Sequence, residues 1–366
     1  MIMYNEMDNG LIGEFEQHYG TIAMFPFRND IWRDNAVHMQ EYILNLISII
    51  SRYEPVFLFC PSELTYKLKN VPDNITIICA EYDDIWARDI GPSFVKRNGK
   101  IECIDWKFNA WGGKKEGAYF PWNADDNFAS VVSSYFRVIC KRINIIVEGG
   151  GIISDGNGTL FTTRSVLLNR NRNPFKTKEF IEEEILKATH DKRIVWIDQG
   201  LAYDETNGHI DNLLSFVNQN ELCLAWTEDK RNPNYRRIRK AFTILSDITN
   251  LNGDKYKIHL IPLPPTQYME EKESKGLWNH PDALPRNAGD ILPASYLNYY
   301  MFNGAVLIPS FGCDTDNSVK TIFKDIFPQK DIVQIYSREP LLGGGGIHCL
   351  LHEIPLLEEK HEIYNK

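Results

Sequence analysis

The chain has 366 residues, 43% hydrophobic and 24% charged, an ordinary globular composition with enough length to bury a large core. Its net charge of -9 would repel a phosphate backbone, which argues against nucleic acid as a partner and leaves a small cation as a natural one. The longest apolar stretches, such as YILNLISII, fall far short of the roughly 20 residues that a membrane crossing needs.

Five segments carry apolar residues at spacings of three and four and predict amphipathic helices at 38–53, 126–142, 177–190, 234–250 and 316–327. Each is followed by β-branched runs: PVFLF with NITIICA, then INIIV, RIVWI, KIHLI and DIVQI. A further strand pattern comes later in each unit, at 92–106, 158–168, 213–226, 296–309 and 347–355. The first and last units close through EFEQHYGTIAMFPF (14–27). One unit cannot bury both its helix face and its sheet, so five of them predict an α/β ring with strand ends converging on a central axis. Two doubly wound α/β domains are the alternative, but no GxGxxG or GxxxxGK[ST] loop follows an early strand.

Seven cysteines form an odd set without a CxxC pair, and most sit in apolar runs, which argues against a disulfide framework and a thiolate-built zinc site. The acidic N-terminus lacks the apolar core of a signal peptide. These features predict a protein of a reducing cytoplasm.

The unusual polar residues fall at strand edges. EYDDIWARDIGP (81–92) offers Asp83, Asp84, Trp86 and Asp89; Glu148 stands between an apolar strand and three glycines. NGHIDN puts His209 and Asp211 two apart at the predicted start of a strand, on the same side. LLGGGGIHC brings Cys349 to the entrance of the last strand. Singly these read as turns, caps and an inert buried cysteine. They occur, however, at equivalent places in four different units.

A thiol acts as a nucleophile when its proton is lost, a histidine passes protons near neutral pH, and Glu148 is placed to fix that imidazole. Asp89 and Asp211 are then surplus to a hydrolytic triad, and like charges in a cleft call for a cation. A guanidinium matches carboxylates with its planar fork of N–H donors.

At these residues the chain resembles the agmatine deiminases of the guanidine-modifying (pentein) superfamily, with peptidylarginine deiminases of the bacterial type. EFEQHYGTIAMFPFRNDIWRD, DDIWARDIGP, FNAWGGK, YFPWNAD, VEGGG, RNP, YDETNGHIDN and GGGGIHC run in that family's order across residues 14 to 355. The resemblance implies a single domain over 1–366, a five-bladed pseudo-symmetric α/β propeller, and hydrolysis of agmatine to N-carbamoylputrescine and ammonia without metal or cofactor. It implies Cys349 as nucleophile, His209 as general acid and base, and Glu148 as its partner. Asp89 and Asp211 would clamp the guanidinium, Trp86 would wall the pocket, and Gly344 and Gly346 would let the backbone approach the substrate. A homodimer is a further expectation from the family.

The chain departs from the family pattern at Gly151, Ile153, Asn212 and Gly346, beside the five presumed catalytic positions. A silent relative that binds a guanidine or polyamine is therefore a second reading, and a deiminase of another guanidine a third. A metal hydrolase is a rival through His348 and His352, four apart. The β-branched and glycine context there predicts a strand, with Cys349 pointing away from both histidines.

Overall fold

The computed structural model describes residues 10–278 and 280–357. Among them, five sheets repeat one internal order: a strand pairs antiparallel with the next, which pairs in parallel with a third reached through a connection that carries a helix. In the first, His352–Pro355 pairs antiparallel with His18–Met24, followed by Val56–Cys60 and Ile75–Cys79 in parallel. The strand His352–Pro355 thus shares a sheet with His18–Met24, far from it in the chain.

The second sheet runs from Gly10–Leu11 through Ser93–Arg97 and Lys100–Lys107 to Ile139–Ile146. The others are Ile152–Ser154 with Thr159–Thr163 and Arg193–Ile197, Leu214–Asn218 with Glu221–Trp226 and Lys257–Pro262, and Tyr300–Phe302 with Ala305–Ser310 and Asp331–Tyr336. A two-stranded excursion, Gln267–Tyr268 with Ile291–Leu292, separates the last two.

The helices form where apolar periodicity meets a stop signal. Val37–Ile50 buries Met39, Ile43, Leu46, Ile47 and Ile50 on one stripe, in the same core cluster as the fully buried strand Val56–Cys60. Lys178–Thr189 begins at Thr177, whose side chain accepts from the Phe180 N–H, and ends where His190 turns left-handed at φ 65°. The helix predicted over 126–142 is shorter. Phe128–Phe136 stops at left-handed Arg137, φ 54°, and Ile139–Ile146 is taken up as a strand beside Lys100–Lys107. The strand predicted through 158–168 also ends early, because Arg164–Leu167 turns helical.

All seven cysteines are free, including two pairs that face each other across neighbouring strands, Cys60 with Cys79 and Cys103 with Cys140. No helix among the described residues is long and apolar enough to cross a membrane.

Candidate active site

Four of the five sheets have a short helical turn just before their antiparallel strand. Ala87–Ile90 precedes Ser93–Arg97, Gly149–Gly151 precedes Ile152–Ser154, Ile210–Asn212 precedes Leu214–Asn218, and Ile347–Leu350 precedes His352–Pro355. These turns pack on one another in sequence, the last against the first, the first against the second and the second against the third. Asp89, Glu148, His209, Asp211 and Cys349 ride on them or at their edges, so residues far apart in sequence meet.

Gly150 marks the meeting point. A Cβ there would sit 2.8 Å from Asp89 Oδ1, from Asp211 Oδ2 and from His209 Nδ1, so no larger residue fits while those groups stay in place. Cys349 Sγ is 3.8 Å from Asp211 Oδ2, one of the atoms that meet at Gly150.

Each acid is oriented from behind. Arg172, fully buried, donates through Nε to Glu148 Oε1 at 2.5 Å, and its other nitrogens bind the carbonyls of Trp111 and Thr206 and the side chains of Asn171 and Asn207. Glu148 Oε2 lies 3.5 Å from His209 Nε2, and both atoms are buried without another partner among the described residues. Burial would raise the Glu148 carboxyl, but Arg172 and His209 hold it below its ordinary value. Burial opposes the imidazolium of His209, and Asp89, Glu148 and Asp211 outweigh it, lifting the ring to about 9.

Asp89 accepts from Trp111 Nε1 and from the Gly150 N–H, both at 2.8 Å. Burial raises its carboxyl despite His209 nearby. Asp211 Oδ2 pairs with His348 Nδ1 at 3.0 Å, and Asp211 Oδ1 is buried and unpartnered among the described residues. Here burial is overcome by His348, His209 and Arg88, so Asp211 stays ionised below its ordinary range. The Cys349 thiol is pushed well up by burial and by the neighbouring charges of Asp211 and Asp89.

A cavity of about 430 Å³, counting its open mouth, reaches this cluster. Trp86, Asp89, Trp111, Gly343–Gly345 and Cys349 line it, together with Glu205 and Arg286. Trp86 and Trp111 meet edge to face with centroids 6.1 Å apart, forming an aromatic wall. Trp86 and Gly344 both line this cavity. Gly346 does not line the cavity: a Cβ there would fall 2.4 Å from Asn298 Oδ1, so its role is to let Asn298 in.

Other expectations need correction. His209 and Asp211 flank and enter a 3-10 turn rather than a strand, because the strand begins only at Leu214. Residues 347–350 form a helical turn, and the strand starts at His352. The two histidines considered as metal ligands are turned to separate partners. His348 bridges Asp211 and Glu14, at 3.0 and 2.8 Å, whereas His352 meets the Pro92 carbonyl at 2.7 Å. Asp83 and Asp84, from the same acidic run as Asp89, serve the scaffold. Asp83 accepts from the Ala124 and Asp125 N–H groups, and Asp84 from the Trp32 and Trp86 indoles.

Sequence reasoning misses four supporting residues: Arg172, Trp111, His348 and Asn298. Asn298 comes from the remaining sheet, two residues before Tyr300–Phe302, and donates through Nδ2 to Cys349 Sγ at 3.2 Å and to Asn212 Oδ1 at 3.0 Å. Its Oδ1 accepts from the His348 N–H at 2.9 Å. The signal was its place ahead of a strand, equivalent to the other four. Two departures from the family pattern, Asn212 and Gly346, both contact this one amide.

A buried thiol beside an imidazole, carboxylates and an amide belongs to the class of α/β proteins equipped for covalent and acid–base chemistry on a cationic group. The chain belongs to the Porphyromonas-type peptidyl-arginine deiminase family, which it matches over residues 10–355. A putative agmatine deiminase of Listeria monocytogenes is 39% identical over 346 residues, 94% of this chain and 95% of that one. Agmatine deiminase of Medicago truncatula is 37% identical over 357 residues, covering 94% and 96%. The structure of agmatine deiminase of Enterococcus faecalis superposes with a TM-score of 0.91 at 33% identity, over 95% of this chain and 96% of that one.

Proposed function

We propose that this protein is an agmatine deiminase, hydrolysing agmatine to N-carbamoylputrescine and ammonia through a covalent adduct on Cys349. The observation that carries the reading is Asp211 Oδ1, a buried acceptor without a partner among the described residues, on the carboxylate that the thiol faces. A guanidinium bridging Asp211 and Asp89 supplies what that oxygen lacks. It also neutralises the two charges that hold the thiol proton in place, so substrate binding itself favours the thiolate.

The Cys349 proton leaves to solvent as the cation binds, and the thiolate attacks the central guanidinium carbon, forming a C–S bond. His209, already protonated, gives its proton to the amino group as the C–N bond breaks and ammonia departs, then takes one from the water that adds to the amidino-thioether, whose C–S bond breaks to release the ureido product and the thiolate. Glu148, fixed by Arg172, steadies the ring through both transfers. The five sheets are taken as the blades of one propeller domain, a reading supported by their shared strand order and by the pairing of His352–Pro355 with His18–Met24.

Ammonia release from agmatine, arginine and a peptidyl arginine, measured side by side, tests the proposal. Agmatine is expected to be the preferred substrate, with release abolished in Cys349→Ala and unaffected by a strong chelator. Tight agmatine binding without ammonia would instead support a silent guanidine-binding relative.

A further inference from the structure

Two of the sheets set a cysteine opposite a cysteine on neighbouring parallel strands, and neither pair takes part in the chemistry at Cys349. Cys103 of Lys100–Lys107 is in register with Cys140 of Ile139–Ile146, and Cys60 of Val56–Cys60 with Cys79 of Ile75–Cys79. In-register residues of parallel strands stand about 4.8 Å apart at Cα, within the span of about 4.4–6.8 Å that a disulfide bridges. In each pair the inner strand buries its cysteine, while the strand at the edge of the sheet leaves the partner within reach of solvent, Cys140 half-buried and Cys79 exposed.

The pairs differ in what their sulfur atoms touch. Cys103 belongs to the core cluster that holds Phe128, Val132 and Phe136, and Cys140 packs against the same cluster, so both side chains leave the sheet on one face. A hydrogen bond from the Cys103 thiol, joined by the Ser133 hydroxyl, holds the Cys140 thiol below its ordinary value against burial and Asp105. Cys103 keeps its proton, held up by that hydrogen bond and by burial. In the other pair Cys60 Sγ donates instead to the Pro61 carbonyl at 3.3 Å, and burial pushes its thiol up to about 12. Cys349 is buried, and its thiol is pushed up by burial and by Asp211. Access to solvent, thiolate character and a second thiol in contact coincide only at Cys140 among these residues, and together they mark a cysteine that responds to oxidants.

We propose that Cys103 and Cys140 form a reversible disulfide on exposure to hydrogen peroxide, with Cys140 as the attacking thiol and Cys103 as the resolving one. The Cys140 thiolate attacks one peroxide oxygen; an S–O bond forms, the O–O bond breaks, and the hydroxide that departs takes up a proton to become water. The Cys103 sulfur then attacks the Cys140 sulfur; the S–S bond forms, the S–O bond breaks, and the Cys103 proton leaves with the hydroxide as a second water. Two thiols are oxidised by two electrons and one peroxide is reduced to two waters. The bond ties the edge strand Ile139–Ile146 to the strand that runs on toward Trp111, the indole donor to Asp89.

The test treats the full-length protein with hydrogen peroxide, alkylates the remaining thiols after denaturation, and maps the peptides by mass spectrometry with and without a dithiol reductant. The expected product is a Cys103–Cys140 cross-link that the reductant removes, formed while Cys60, Cys79 and Cys349 are still recovered as free thiols. In Cys103→Ser the cross-link is lost and dimedone traps Cys140 as a sulfenic acid. In Cys140→Ser the cross-link is lost and Cys103 stays a thiol. Oxidation of Cys79 or Cys349 ahead of Cys140 would overturn the proposal, as would a Cys60–Cys79 bond formed first or a Cys140 oxidised beyond the sulfenic acid while Cys103 remains free. The map of the wild-type chain decides the matter by itself, so a variant that folds poorly does not leave it open.

Discussion

Arg172 and Glu148 form an ion pair with both side chains wholly buried, so neither charge has water to fall back on. Arg172→Met would leave the Glu148 carboxylate unmatched, and the expected cost is about 3–5 kcal/mol, read as a large drop in thermal midpoint together with lost ammonia release. A melting curve like that of wild type would show that the pair does not hold the site. Asn298→Ala removes a donor to the thiol and an acceptor for the His348 N–H. The expected loss is about 1–3 kcal/mol of stability by denaturant titration, with a slower reaction of Cys349. On the proposed mechanism His209 must be protonated to discharge ammonia, and its ring is lifted to about 9 in the free site, so kcat/KM should fall as pH rises through about 9; a flat profile to pH 10 would remove it from that step.

At the scale of elements, the site is made by turns, with the strands serving as their anchors. Gly150→Ala should therefore lower ammonia release sharply while the protein still melts cooperatively, since the added carbon meets Asp89, Asp211 and His209 rather than a core strand. Thr177→Ala, at the N-cap of a helix away from the cavity, is expected to cost about 1 kcal/mol in urea unfolding and leave turnover alone. The five helices, their order and most strands are legible because apolar spacing reports them locally. The turns are not legible in the same way. HIDN and IHCL read as strand entrances by composition, yet both coil, and it is this coiling that aims His209, Asp211 and Cys349 at one point. Their backbone is fixed by neighbouring turns, which a local pattern does not record.

Over the whole molecule the buried titratable groups pull in opposite directions: burial lifts Asp84 to about 6 and Asp191 to about 7, so their contribution is lost as pH rises through those values. His209 and His348 are both lifted to about 9 against burial, by Asp89 and Glu148 in one case and by Glu14 and Asp211 in the other. Their contribution is complete below the unfolded imidazole value of about 6.5 and is lost as pH rises through 9. His352 works in the opposite direction. Burial lowers it to about 4, so its contribution disappears as pH falls from about 6.5 toward 4, as do those of Glu148 and Asp211 at lower pH. Thermal midpoints are expected to decline as pH rises through 9, and a midpoint that still rises between pH 7 and 9 would contradict this assignment.

The sequence by itself determined the repeating order of helices and strands, the absence of a phosphate loop, and the candidate set Cys349, His209, Glu148, Asp89 and Asp211. Apolar periodicity is a local property, and these residue types announce their chemistry in isolation. Only the tertiary structure decided that Arg172 fixes Glu148, that His348 bridges Asp211 and Glu14, that Asn298 fills the space left by Gly346, and that Glu205 and Arg286 pair in the lining of the cavity. Each of these is a contact between units distant in the chain. Its geometry and its electrostatics exist only once the turns have packed together and water has been excluded from between them.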